Sequence, residues 1–206
     1  MVDFDVVDLG PTDHVALGET APDFTRPLVA DDGWHDASFA DTAGSPTVLV
    51  FTTMAGAFPA EYTLTELRDR GIGVSATDAD PARTEDGDEA DDRATTDEEA
   101  TPLDADRPTA VASSASVLAV SISSPYELAP FLRDHDLPYG VFSDPTNAVA
   151  ETYGVVHDLD GMTGITEPRP AIFVLDADRT VEYAWVATEW PDFPDYDELE
   201  AVLADW

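Results

Sequence analysis

Four short apolar runs punctuate the chain: Thr47–Phe51 (TVLVF), Val117–Ser121 (VLAVS), Tyr139–Ser143 (YGVFS) and Ala171–Asp176 (AIFVLD). Each is bounded by turn formers and rich in β-branched or aromatic residues, which predicts buried strands. Thr47–Phe51 is apolar without alternation, as a central strand covered on both faces must be. Thr25–Val29 and Trp34–Ser38 flank the turn residues Asp31, Asp32 and Gly33 and read as an early hairpin. Thr180–Val186 follows the turn Ala177–Arg179 and reads as a fifth core strand, paired with the fourth. Residues 1–13 read as a lead-in and Val15–Phe24 as a loop.

Helical spacing appears between these runs. Ala60–Arg70 has Leu64 and Leu67 on one face and Gly71 as its stop. Ser124 with Glu127 three residues later forms a capping-box pattern, opening a helix to about His135 with Leu128, Phe131 and Leu132 inward. Asn147–Tyr153 is a short helix ended by Gly154. Tyr196–Trp206 is amphipathic, with Leu199, Val202 and Leu203 inward. Strands alternating with helices, plus a late hairpin, predict an α/β fold with a mixed central sheet flanked by helices.

Residues 77–108 break the pattern. They hold thirteen acids, three arginines and no aromatic residue. Such a segment buries too little apolar surface to offset its ordering entropy, so a disordered acidic insertion is expected within a single domain spanning 1–206. Its acids do not follow the spacing of a calcium-binding loop.

The charge extends this picture to the whole chain. There are 44 acidic residues against 9 basic ones, all arginine, for a net charge of −35 over 206 residues. Self-repulsion at that charge is severe in dilute buffer and is screened at ~1 M salt, where the Debye length is ~3 Å. The pattern resembles the proteins of extreme halophiles with a salt-filled cytoplasm, with hydrated cations held diffusely at the surface. An acidic mimic of nucleic acid is the competing reading; the even spread of charge and ordinary apolar content weigh against it. Like-charge repulsion argues against nucleic acid or an anionic membrane as partner. No basic leader and no run near ~20 apolar residues is present, so a cytoplasmic protein is expected.

There is no cysteine, which excludes every thiol-based mechanism. The four histidines show no metal-ligand spacing. There is no G-x-S-x-G elbow and no glycine-rich phosphate loop, so no cofactor is expected.

Five segments together resemble one family. They are Leu17–Phe24 (LGETAPDF), Val48–Leu64 (VLVFTTMAGAFPAEYTL), Val117–Phe131 (VLAVSISSPYELAPF), 135–155 (HDLPYGVFSDPTNAVAETYGV) and Arg169–Trp185 (RPAIFVLDADRTVEYAW). In order and spacing they are similar to the peroxiredoxins, the alkyl hydroperoxide reductase/thiol-specific antioxidant (AhpC/TSA) branch of the thioredoxin-like fold. Ser123 stands where that family usually has Asp.

The resemblance implies a thiol peroxidase site, P-x-x-x-T/S-x-x-C plus an arginine, and a homodimer. Anchored on Phe51, the turn positions fall on Thr53, Ala57 and Ala60, all changed; Arg169 matches. In the family the thiolate attacks a peroxide oxygen that the hydroxyl and backbone N–H groups position, while the arginine lowers the thiol pKa and stabilises the leaving oxygen. Without the nucleophile there is nothing to position.

The expected function is therefore a redox-inactive, peroxiredoxin-like protein with a binding or regulatory role. The alternative is an antioxidant-family enzyme with thiol-independent chemistry in a remodelled pocket. Arg169 either retains an anion-binding role in the old pocket or, the favoured reading, pairs with an acid such as Glu61 or Glu167. The aromatic run Trp185, Trp190, Phe193 and Tyr196 is either packing for the last helix or a protein-contact patch.

Overall fold

A computed structural model describes residues 6–30, 33–74, 114–157, 163–164 and 166–206. The acidic segment 77–108 lies outside the described residues. The central sheet has seven strands: β2 (Thr25–Ala30), β3 (Gly33–Ser38), β4 (Thr47–Phe51), β5 (Ser116–Ser121), β6 (Gly140–Ser143), β9 (Ala171–Leu175) and β10 (Val181–Val186). Their order is β10-β9-β4-β5-β6-β2-β3. β4, β5 and β6 run parallel, with Leu49 opposite Leu118 and Val120 opposite Phe142. The β9–β4, β9–β10, β6–β2 and β2–β3 pairings are antiparallel. The mixed sheet of a peroxiredoxin-type, thioredoxin-like fold follows.

Strand geometry sends successive side chains to opposite faces, and β4 feeds two cores in this way. Val48 and Val50 pack on one face with Leu64 and Leu67 of α2 (Phe58–Asp69), Leu128 and Phe131 of α3 (Pro125–Asp134) and Leu199 and Leu203 of α5 (Tyr196–Ala204). Leu49 and Phe51 pack on the other with Phe39 of α1 (Phe39–Thr42) and Val149 and Tyr153 of α4 (Ala148–Tyr153). The Phe51 and Tyr153 rings lie 4.9 Å apart. Truncating a residue such as Leu64, fully buried, removes about 2–5 kcal/mol.

Helix ends follow local chemistry. The Ser124–Glu127 capping box of α3 forms as the sequence predicts. α2 begins two residues earlier than its apolar spacing indicates, because Pro59 in the first turn tolerates the missing N–H. Gly154 ends α4 at φ 70°, and any Cβ there would sit 2.1 Å from the Asp13 carbonyl oxygen. Only glycine lets the lead-in cross so closely.

Residues 6–13 are more than a lead-in. β1 (Val7–Asp8) pairs with β11 (Glu189–Trp190), and Leu9 is buried. A further two-residue pair joins β7 (Val156–His157) to β8 (Glu167–Pro168). These short ribbons lack hydrophobic periodicity and cannot be read from the sequence pattern; nor can α1.

Candidate functional site

The turn after β4 carries the positions singled out from sequence, and hydroxyl side chains stitch it to the carboxyl ends of β5 and β6. Ser121 Oγ donates to the Thr53 carbonyl at 2.6 Å. The Ala55 N–H donates to Ser123 Oγ at 2.8 Å. Ser143 Oγ donates to the Ser123 carbonyl at 2.7 Å. Ser123 therefore pins the turn to the sheet through both its side chain and its main chain.

Thr53 is buried, and its own Oγ1 and that of Thr52 make no hydrogen bond. Ala57 is the N-cap of α2, with extended backbone and no side-chain cap. Ala60, three residues into the helix, is 1% exposed and belongs to the core with Leu64 and Leu67. Both alanines thus sit in the first turn of an α-helix, where unpaired N–H groups and the helix dipole favour an anion such as a thiolate. Neither side chain supplies one.

Arg169 is 4% exposed. Its Nη1 donates to the carbonyls of Gly10 at 2.8 Å and Ala187 at 3.1 Å, and its Nη2 to that of Leu9 at 2.8 Å. These three contacts are all to main-chain oxygens. Glu61 is elsewhere, with Oε1 3.5 Å from His135 Nδ1. Burial pushes the Arg169 pKa down and the Asp8 charge opposes this; a guanidinium nevertheless stays charged. Three carbonyl dipoles stand in for the water that burial removes.

The space beside Arg169 is small. Leu9, Thr53, His157, Glu167, Pro168, Arg169, Pro170 and Trp190 enclose a cavity of about 10 Å³, about one water molecule. Arg169 Nε and Thr53 Oγ1 are buried at this point without hydrogen-bond partners. Glu167 and Trp190 stand out in the sequence as an acid near Arg169 and as part of the aromatic run, whereas Leu9 and His157 carry no signal there, because the short ribbons that deliver them have no hydrophobic pattern. A separate open groove of about 510 Å³ is lined by Met54, Ser123, Asn147 and Thr166 among others; neither Thr53 nor Arg169 lines it.

The structure thus brings Thr53 and Arg169 to one cavity. Ala60 is packed into the core instead, and Ala57 caps the helix. Phe58, the first residue of α2, points outward at 61% exposure. The aromatic run predicted near the C-terminus divides. Tyr196 is buried, Trp185 packs against the core, Trp190 lines the cavity, and Phe193 meets Phe58 and Tyr62.

Among the described residues no group of three or more metal-ligating side chains comes together, and no helix is long and apolar enough to cross a membrane.

Comparison with known proteins agrees with the fold. The profile of the AhpC/TSA family matches residues 90–184. Peroxidoxin BcpB from Mycobacterium tuberculosis superposes with a TM-score of 0.61 at 20% identity, covering 93% of this chain and 98% of that one. Thiol peroxidase from Chromobacterium violaceum gives a TM-score of 0.61 at 23% identity, covering 100% of this chain and 98% of that one. AhpC from Enterococcus faecalis gives 0.63 at 13% identity, covering 92% and 90%. At these identities the likeness speaks to the fold. A search of curated protein sequences finds no match.

Proposed function

We propose that this chain is an AhpC/TSA-type protein that has kept the peroxiredoxin fold and given up thiol peroxidase chemistry, serving a binding or regulatory role. One observation carries the reading: the arginine that matches the family's catalytic position, Arg169, is committed to the carbonyls of Leu9, Gly10 and Ala187. Its guanidinium faces the protein's own main chain where a peroxidase would present it to substrate. The adjoining cavity holds about one water.

Two further facts support it. The chain has no cysteine, so neither an attacking nor a resolving thiol exists. The position corresponding to the nucleophile, Ala60, is packed against Leu64 in the core. Thr53, Ala57, Ala60 and Arg169 are on this reading a vestigial site whose members now serve packing, capping and clasping. The net charge of −35 suits a salt-filled cytoplasm.

The test is consumption of hydrogen peroxide and of an alkyl hydroperoxide by the purified chain, in multimolar KCl with a dithiol reductant and a chelator. The expected result is the rate of the buffer alone. Turnover above that background, lost in R169A, would overturn the proposal.

A further inference from the structure

The central sheet ends on one side at β3, and among the described residues nothing pairs with the outer edge of that strand. Gly33, Trp34, His35 and Asp36 are all exposed, so no described helix or loop covers it. Such an edge presents a row of unpaired N–H and C=O groups that a further strand can complete. Four strands lie between β9 and β3, which sets this edge apart from the Arg169 cavity.

Side chains mark one face of the edge. Trp34 lies opposite Val29 and Asp36 opposite Pro27, and residues two apart on a strand share a face. Trp34 is 49% exposed, and its ring meets that of Tyr126, 78% exposed, at 6.5 Å and 77°. The two rings thus form an open aromatic corner. Tyr126 stands in the first turn of α3, beside Glu127. Both Ser124 hydrogen bonds to Glu127 go to Oε2, which leaves Oε1 able to accept another donor. Arg26 and Arg133, on the elements that adjoin this corner, already pair with Asp144 and Asp134.

We infer that β3 receives an extended, arginine-bearing segment of a partner protein as an added strand, with an arginine side chain seated on the Trp34–Tyr126 corner. Main-chain hydrogen bonds along the edge supply affinity, and alternate side chains supply specificity. Three features select the occupant. Exposed indole and phenol rings attract a guanidinium through their π faces. The carboxylates of Asp36 and Glu127 adjoin those rings, and a guanidinium stacks on a ring and donates to a carboxylate at once, whereas an ammonium has no flat face to stack. A second copy of this chain, at −35, is repelled by the same carboxylates that draw a basic strand. Asp36 on the edge thereby guards against self-pairing while admitting this partner.

The experiment is calorimetric titration of the full chain with a blocked hexapeptide that alternates arginine and valine, in KCl high enough to keep the chain folded. Saturable binding is expected. W34A should weaken it at least about ten-fold, as loss of an aromatic anchor does. Y126A should weaken it about three-fold, the scale of an exposed cation–π contact. Tyr126 is so exposed that its truncation leaves the fold intact, so the test holds even if W34A loosens the edge. F58A, which removes an exposed ring on α2, should bind as wild type does. Hydrogen exchange at the amides of residues 34–37 should slow in the complex. Four results would overturn the proposal: no saturable binding at millimolar peptide, binding unchanged in both W34A and Y126A, an equal loss in F58A, or β3 exchange unaltered by saturating peptide. None of these depends on peroxide turnover, so this inference and the pseudoenzyme reading fail separately.

Discussion

Arg169 reaches 160 positions back along the chain to donate a 2.8 Å hydrogen bond to the carbonyl of Leu9. Leu9 in turn donates its N–H to the Thr188 carbonyl and buries its side chain over the cavity. The Arg169 side chain thereby fastens the N-terminal ribbon to the segment leading into β9.

This fastening has a measurable strength. R169A leaves the carbonyls of Leu9, Gly10 and Ala187 without that donor and opens space around them. A loss of about 3 kcal/mol is expected, from about 1–3 kcal/mol for each buried group left unsatisfied, reduced by relaxation. R169K should recover part of it. Denaturant melts give the energy, and faster hydrogen exchange at the Leu9 amide in R169A locates it. Unchanged exchange there would contradict the clasp.

The two alanines of the α2 first turn should differ sharply once given a thiol. The chain has no other cysteine, so any reaction with Ellman's reagent reports the introduced one. A57C, at the half-exposed N-cap, should react readily, with a thiol pKa drawn below ~8.5 by the helix N-terminus. A60C, in the core, should react more than about a hundred-fold more slowly, limited by opening of the native state. Equal rates would mean that Ala60 is more accessible than its packing indicates.

Salt should govern stability. With nine positive charges against 44 negative ones, the folded chain concentrates repulsion that unfolding relieves. The melting temperature should rise steeply from low salt toward multimolar KCl, with most of the gain made as the Debye length falls from ~10 Å toward ~3 Å. A flat profile would contradict this.

Acid should weaken the start of α3 in a defined way. The Ser124 N–H and hydroxyl both donate to Glu127, holding its carboxyl below the ordinary 4.5. A carboxylate with a depressed folded-state pKa contributes stability that is present above its unfolded pKa and lost as pH falls through the folded one. E127A should therefore cost about 1 kcal/mol near neutral pH. E127Q, which can still accept from Ser124, should melt with a shallower dependence on pH below 4.5 than wild type. Parallel acid profiles would show that Glu127 plays no part in the acid response.

How much of this is legible in the sequence varies with the physics involved. Thr47–Phe51 announces itself because a strand buried on both faces must be apolar throughout. The α3 start is readable because the Ser124–Glu127 spacing is itself the hydrogen-bond geometry. The positions of Thr53, Ala57, Ala60 and Arg169 can be marked on the chain. The fate of Arg169 cannot, because its partners are main-chain carbonyls, and a carbonyl leaves no trace in residue identity. Val7–Asp8 is invisible for a related reason: two exposed residues show no periodicity, and only the long-range pairing with Glu189–Trp190 makes them a strand. Phe193 groups with its neighbours along the chain, whereas packing joins it to α2.

The described residues on either side of the acidic segment lie close together. Gly73 lies so close to β5 that a Cβ on it would come within 2.4 Å of a Val117 methyl and 3.2 Å of the Ala115 carbonyl. The chain thus leaves the described fold after Val74 and re-enters at Ser114 beside its point of departure. Two chain positions that stand so close can be joined by linkers of very different length, since each doubling of a flexible linker alters closure by only about 0.6 kcal/mol. The gap between α2 and β5 is accordingly a natural graft point, where a reporter or an affinity module could be spliced without touching the sheet.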